Sequence, residues 1–158
     1  MPVLRYIHRL ILTLWLGSIF FFAAAVAPAL FRTLSGADSG AVVRELIPRI
    51  DAGGLLAGPL LIGLAWAVEG RPSGRARVRA VLWGTMAVLA AVSLTVVTPR
   101  LDRLRARAVP SISALPSDDP LRREFGALHG VSTLLMLGVA TFGLVTLAWP
   151  LAKEKASA

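Results

Sequence analysis

Imidazole is the side chain that ligates metals and haem and moves protons near neutral pH, and this chain has two of them, His8 and His129. With no cysteine present, thiolate metal sites, iron–sulfur clusters, disulfides and thiol nucleophiles are excluded. Along a helical stripe from His8 come Leu12, Trp15, Ile19 and Phe22. A haem could lie against such an apolar, aromatic face with His8 as its axial ligand. An interfacial histidine that donates to a neighbouring helix or a lipid headgroup would look the same. From His129 the matching stripe carries Ser132, Thr133, Met136 and Ala140. The thioether of Met136 could join His129 in holding copper, or it could fill a packing gap. Arginines and acids supply the other polar chemistry. Arg32 follows the first apolar run, Arg100 and Asp102 follow the third, and Glu124 and His129 precede the fourth. If those runs pack as helices, Arg32, Arg100, Asp102, Glu124 and His129 meet in one polar cap. Such a cap is either an anion or substrate entry with arginine donors, or a rim in which Arg32 or Arg100 pairs with Asp102 or Glu124. No Ser-His-Asp arrangement, phosphate-cradling glycine loop or metalloprotease motif accompanies them, so the chain reads as a non-enzyme.

The elements that must position these groups are membrane helices. Hydrophobic residues make up 56% of the 158, and the 16% that are charged cluster in short stretches. Mean hydropathy is +0.70. The first uncharged run, Leu10 to Leu30, spans roughly 30 Å as a helix, the thickness of a bilayer's hydrocarbon. Ala25-Val26-Ala27 looks like a signal-peptide cleavage site, but Pro28 just after it and the length of the run favour a retained helix. The second run, Ala52 to Val68, is bounded by Asp51 and Glu69. Its Gly54-x-x-x-Gly58 pattern allows close backbone approach, and Pro59 is expected to kink it. Before it, Val42, Val43, Leu46, Ile47 and Ile50 fall at helical spacing with Arg44, Glu45 and Arg49 opposite. That pattern predicts an amphipathic helix that lies at the interface or leads into the span, with Ser39 as a candidate N-cap. The third run is Ala80 to Thr98, with a kink or stop at Pro99. The fourth is Gly130 to Leu151, reached through a helix restart capped by Asp118 or Asp119.

The expected fold is all-α: one domain over residues 1–158, a bundle of four transmembrane helices with spans at about 8–31, 52–69, 79–99 and 128–151, and the amphipathic helix before the second span. Antiparallel packing then places His8 and His129 near opposite membrane faces, on the order of 25 Å apart by helix rise. A shared metal or bis-histidine haem within one subunit is excluded by that separation. No span interior holds Asp, Glu, Lys or Arg, which argues against a proton-coupled pump. Small residues such as Gly17, Gly84, Ser93, Gly138 and Gly143 read as helix-packing positions, and no internal repeat stands out. The net charge of +8 reads as arginines anchoring helix ends to headgroups rather than as nucleic-acid binding. Basic residues divide almost evenly between the two sides. The tight Arg71, Arg75, Arg77, Arg79 loop favours cytoplasmic termini. The arginine-over-lysine bias and Ala richness fit high-GC coding, hence a bacterial inner membrane. The partner is the lipid bilayer, with a homo-oligomer or a membrane-protein partner left open.

Several stretches resemble a known family. They are His8-Arg9-Leu10, Trp15-Leu16-Gly17-Ser18, Val26-Ala27-Pro28-Ala29-Leu30-Phe31-Arg32, Thr98-Pro99-Arg100-Leu101 and Phe125-Gly126-Ala127-Leu128-His129-Gly130. Together they resemble the transmembrane protein 205-like family, also called domain of unknown function 4149. The resemblance implies a small four-helix membrane protein with no established biochemical activity. His8, Trp15 and Gly17 are also similar to the start of HemJ-type and CopD-type four-helix membrane proteins, which implies haem or copper. The further histidine and lysine of such enzymes have no counterpart here. Three expectations follow for function. One is a membrane protein of unknown biochemical role that binds or transports a small ligand, metal or haem. The alternatives are a haem-dependent oxidoreductase using His8, and a structural subunit of a membrane complex.

Overall fold

A computed structural model describes residues 2–69 and 74–148. Four long helices carry nearly all of them: α1 (Pro2–Thr33), α2 (Gly36–Glu69), α3 (residues 74–107) and α4 (Pro120–Ala148). All four are long and apolar enough to cross a membrane. The chain is an integral membrane protein, and its exposed leucines, valines and phenylalanines fit a lipid surround rather than water. Each helix packs on its sequence neighbours, and α1 closes the ring against α4. At one end of this antiparallel bundle lie the α1–α2 and α3–α4 connections. The other end holds the N-terminal side of α1 and the C-terminal side of α4.

Tight packing is concentrated toward the terminal end. Leu12, Trp15 and Leu16 of α1 meet Leu61 of α2, Trp83 and Met86 of α3 and Val139 of α4. Small residues permit the approach. A Cβ on Gly54 would lie 2.5 Å from the Trp15 ring, and one on Gly58 2.6 Å from the Ala87 Cβ. A Cβ on Gly143 would collide with Leu16, and one on Gly138 would sit 3.1 Å from Leu89. The Gly54-x-x-x-Gly58 pattern therefore serves two different neighbours, a tryptophan ring and a helix backbone. Gly17 and Gly84 have nothing within 4 Å of a built Cβ, so they are not packing positions.

Two helices change pitch on the way to the other end. In α1 a π-helical turn at Phe22–Val26 precedes Pro28, and in α3 one at Ser93–Val97 precedes Pro99. A proline inside an α-helix removes a donor and presses its ring on the carbonyl four residues back. One wider turn relieves that clash without ending the helix. Pro99 is thus not a stop, because helix continues to Arg107.

The amphipathic segment expected before the second span leads directly into it: the two run without a break as α2, through Pro48 and Pro59. Ser39 is not the cap. Ser35 accepts the Asp38 backbone N–H at 3.2 Å and donates to the Asp38 carboxylate at 2.7 Å, a variant of the capping box. Ser39 is buried and donates to the Leu30 carbonyl at 3.0 Å, tying α2 to α1. Asp119, rather than Asp118, caps α4 by accepting the Leu121 N–H at 2.7 Å. Arg71, Trp149, Lys153 and Lys155 lie outside the described residues, as does the end of the expected fourth span.

Candidate functional site

The continuity of α2 changes which polar groups lie inside the bundle. Asp51 falls close to the midpoint of α2, Gly36–Glu69, where the apolar run of the second span begins. Its Oδ2 is buried with no hydrogen-bond partner among the described residues, and the Ser93 hydroxyl on α3 lies within hydrogen-bonding reach of the carboxyl. Ser93 opens the π-helical turn of α3. The wider turn brings that hydroxyl onto the inner face of the bundle.

Asp51 borders a cavity of about 270 Å³ between the four helices. Phe22 and Ala27 enter it from the reshaped part of α1, Ile47 and Pro48 from α2, Leu101 from α3 and Met136 from α4. At ~30 Å³ per water the space equals about nine waters, or one small organic ligand. Toward the terminal end Asp51 and Ser93 also border a void of about 10 Å³ beneath Trp15 and Met136, close to the size needed for one water. Toward the other end lies a broader vestibule of about 620 Å³, walled by Arg44, Arg105, Arg122 and Phe125. Phe31, Val43, Arg44, Arg105 and His129 line both the inner cavity and the vestibule. These residues form the neck between the two.

Side chains at the neck are held in a column. Arg105 donates to Asp102 at 3.0 Å and lies over the Phe125 ring at 5.2 Å. Phe125 in turn stacks on His129, with ring centroids 6.2 Å apart and planes within 3°. Arg122 donates to the Leu115 carbonyl at 2.6 Å, which fixes the long α3–α4 connection against α4. Arg44 has neither an ion pair nor a hydrogen bond to any described residue, so its guanidinium is available at the neck.

The structure brings together part of the expected polar cap. His129 lies at the neck, and Asp102 reaches it through Arg105. Arg32, Arg100 and Glu124 are exposed and border neither the cavity nor the vestibule. The expected pairing of Arg100 or Arg32 with Asp102 or Glu124 is replaced by the Asp102–Arg105 pair, three residues apart on one helix. Met136 and His129 both line the inner cavity. No group of three or more His, Asp or Glu side chains is placed to hold a metal among the described residues. His8 lies elsewhere. It is 4% exposed, its ring meets Trp83 edge-on at 4.8 Å, and neither ring nitrogen has a hydrogen-bond partner among the described residues. It borders neither the cavity nor the vestibule.

The family described as domain of unknown function, DUF4149, matches residues 10–110. The chain belongs to this family. The matched stretch of the DUF4149 chain holds α1 from Leu10, all of α2 and α3, and therefore Asp51, Ser93, both proline-linked π-helical turns, Arg44 and Arg105. Helix α4, with His129 and Met136, lies beyond it. No curated protein and no solved structure matches the DUF4149 chain.

The chemically informative residues missed by pattern alone are Asp51, Ser93, Arg44 and Arg105. Asp51 closes an amphipathic stretch and precedes an apolar one, so it looks like a boundary. Arg44 looks like part of a solvated face. A signal for both was present: the helically spaced Val42, Val43, Leu46, Ile47 and Ile50 run directly into the apolar run from Ala52, which is what one continuous helix would show.

Proposed function

We propose that this protein binds a small amphipathic anion inside the bilayer, without chemical transformation of it. The observation that supports the reading is the apolar cavity of about 270 Å³ whose neck carries Arg44 and Arg105. Arginine at a partly desolvated neck recognises carboxylate or phosphate by paired N–H donors. The walls of Phe22, Ile47, Leu101 and Met136 suit a short hydrocarbon. Arg122 and Arg105 in the vestibule supply the positive field that draws anions toward the neck.

Within this reading the protein sits in a bacterial inner membrane with both termini cytoplasmic, so the vestibule opens on the far side. The arginines at the start of α3, Arg77 and Arg79, support that orientation. Haem ligation by His8 finds no comparable support, since the Trp83 ring occupies the space beside the imidazole.

Equilibrium dialysis of labelled octanoate against the protein in nanodiscs, with empty nanodiscs subtracted, tests the proposal. Saturable binding that weakens about tenfold in Arg44→Gln, the loss of one charge-assisted contact, supports it. Octanoate retained no better by protein-containing discs than by empty ones sinks it.

A further inference from the structure

The inner end of the cavity poses a charge problem for a simple anion. A carboxylate held at Arg44 points its tail at Asp51, whose Oδ2 is buried and unpartnered among the described residues. A hydrocarbon end would leave that oxygen desolvated and unsatisfied, a condition that native structures avoid or use. A plain cation has the opposite difficulty, because it must pass Arg44, Arg105 and Arg122. A ligand with an anion at one end and a protonated amine at the other satisfies both ends.

We propose that the cavity recognises a zwitterion, with Arg44 holding its anionic group and Asp51, with Ser93, forming a second subsite for its ammonium group. This rests on the anion-binding reading above and names the substrate class more narrowly. Geometry on α2 sets the length. Arg44 and Asp51 are two helical turns apart on one face, about 10 Å along the axis, and both line the same cavity. The Asp51 carboxyl accepts N–H donors from the ammonium group, and Ser93 beside it can offer its oxygen to the same group. Phe22 also lines this space, and an aromatic ring near a desolvated cation favours it further. Between the two subsites Ile47 and Pro48 leave an apolar stretch. The spacer is therefore a hydrocarbon chain rather than a polar one. No acidic residue other than Asp51 lines the inner cavity, so the ammonium end has one place to go.

The test is a ligand series on the wild-type protein in nanodiscs, competing each compound against labelled octanoate: 8-aminooctanoate, octanoate, octylamine and 4-aminobutanoate. The expected order places 8-aminooctanoate about tenfold tighter than octanoate. Octylamine and 4-aminobutanoate should be weaker than either, the first for want of an anion and the second because it cannot span both subsites. In Asp51→Asn the advantage of the amine should disappear while octanoate binding persists. Octanoate equal to or tighter than 8-aminooctanoate in the wild type overturns the zwitterion but leaves the anion site standing. An amine advantage that survives Asp51→Asn, in a variant that still binds octanoate, overturns the role of Asp51. Failure of every compound to bind overturns the parent reading instead. The wild-type series needs no substitution, so a variant that does not fold leaves the test intact.

Discussion

Alanine at Gly58 and alanine at Gly53 should change stability in opposite directions, although the sites are five residues apart on one helix. At Gly58 a built Cβ lies 2.6 Å from the Ala87 Cβ and 3.1 Å from the Trp83 carbonyl oxygen. Ordinary contact begins near 3.4 Å. Neither neighbour can swing aside, because one is a methyl on the helix itself and the other is backbone. The α2 and α3 helices must separate by about 1 Å, and a gap of that size forfeits a quarter to a half of each contact's attraction. Leu61, Trp83 and Met86, all essentially fully buried, lie along that seam. Overpacking of this kind typically costs about 1–3 kcal/mol, against about 1 kcal/mol gained by replacing glycine in a helix. At Gly53 nothing lies within 4 Å of a built Cβ, so only the gain remains. Reversible unfolding in mixed micelles, followed by helical circular dichroism, should place Gly58→Ala about 1–3 kcal/mol below Gly53→Ala, since the helix-propensity gain is common to both. Equal stabilities would refute the close approach of α2 to α3 at this level.

The same assay reads three further substitutions. Asp51→Leu should stabilise the fold by about 1–3 kcal/mol, because an unsatisfied buried oxygen is removed, while the advantage of 8-aminooctanoate over octanoate is lost; a destabilised variant would show that the contact of the carboxyl with Ser93 outweighs that gain. His8→Leu should leave stability within about 1 kcal/mol of wild type, since both ring nitrogens are buried without described partners and one polar ring is exchanged for apolar volume. A larger loss, or a Soret band that depends on His8, would restore the haem reading. Pro99→Ala should let the π-helical turn Ser93–Val97 close to α-helix, which raises amide protection across residues 93–103 and turns Ser93 away from Asp51. Unchanged hydrogen exchange there would mean that the wide turn is set by packing and not by the proline.

Long uncharged runs and flanking arginines made the four-helix architecture legible, because a bilayer enforces that pattern with little ambiguity. Glycine spacing made Gly54 and Gly58 legible as contact points. The candidate site was less so. Hydropathy marks where charge stops, and Asp51 stands at such a place, so the half of α2 preceding it reads as lying outside the membrane. What Asp51 and Arg44 share is the cavity on the inner face of α2, which both of them line. Arg32 and Arg100 carry the opposite lesson. They adjoin the proline-linked turns in sequence, yet helical phase points them outward, and it is Arg105, five residues past Arg100, that reaches the neck. Charge type and approximate depth are readable from the chain, whereas phase is not once a π-helical turn has shifted it.

Those shifts are matched, and the match ties the two halves of the molecule together. Val26-x-Pro28-x-Leu30-x-Arg32 in α1 recurs as Val97-x-Pro99-x-Leu101-x-Arg103 in α3. The π-helical turns end at Val26 and Val97, the same place in each copy. This short repeat escapes a search for periodicity because the intervening apolar residues differ. In the bundle α1 and α3 are diagonal, and each packs between α2 and α4. Widening both diagonal helices at one depth displaces the chain on two opposite sides. The bundle that is tightly filled around Leu61 and Trp83 opens about three turns further along α3 into the cavity beside Phe22 and Ser93. Both proline-linked turns border that cavity, through Phe22 and Ala27 of α1 and Ser93 and Thr98 of α3, and Asp51 of α2 lines it between them.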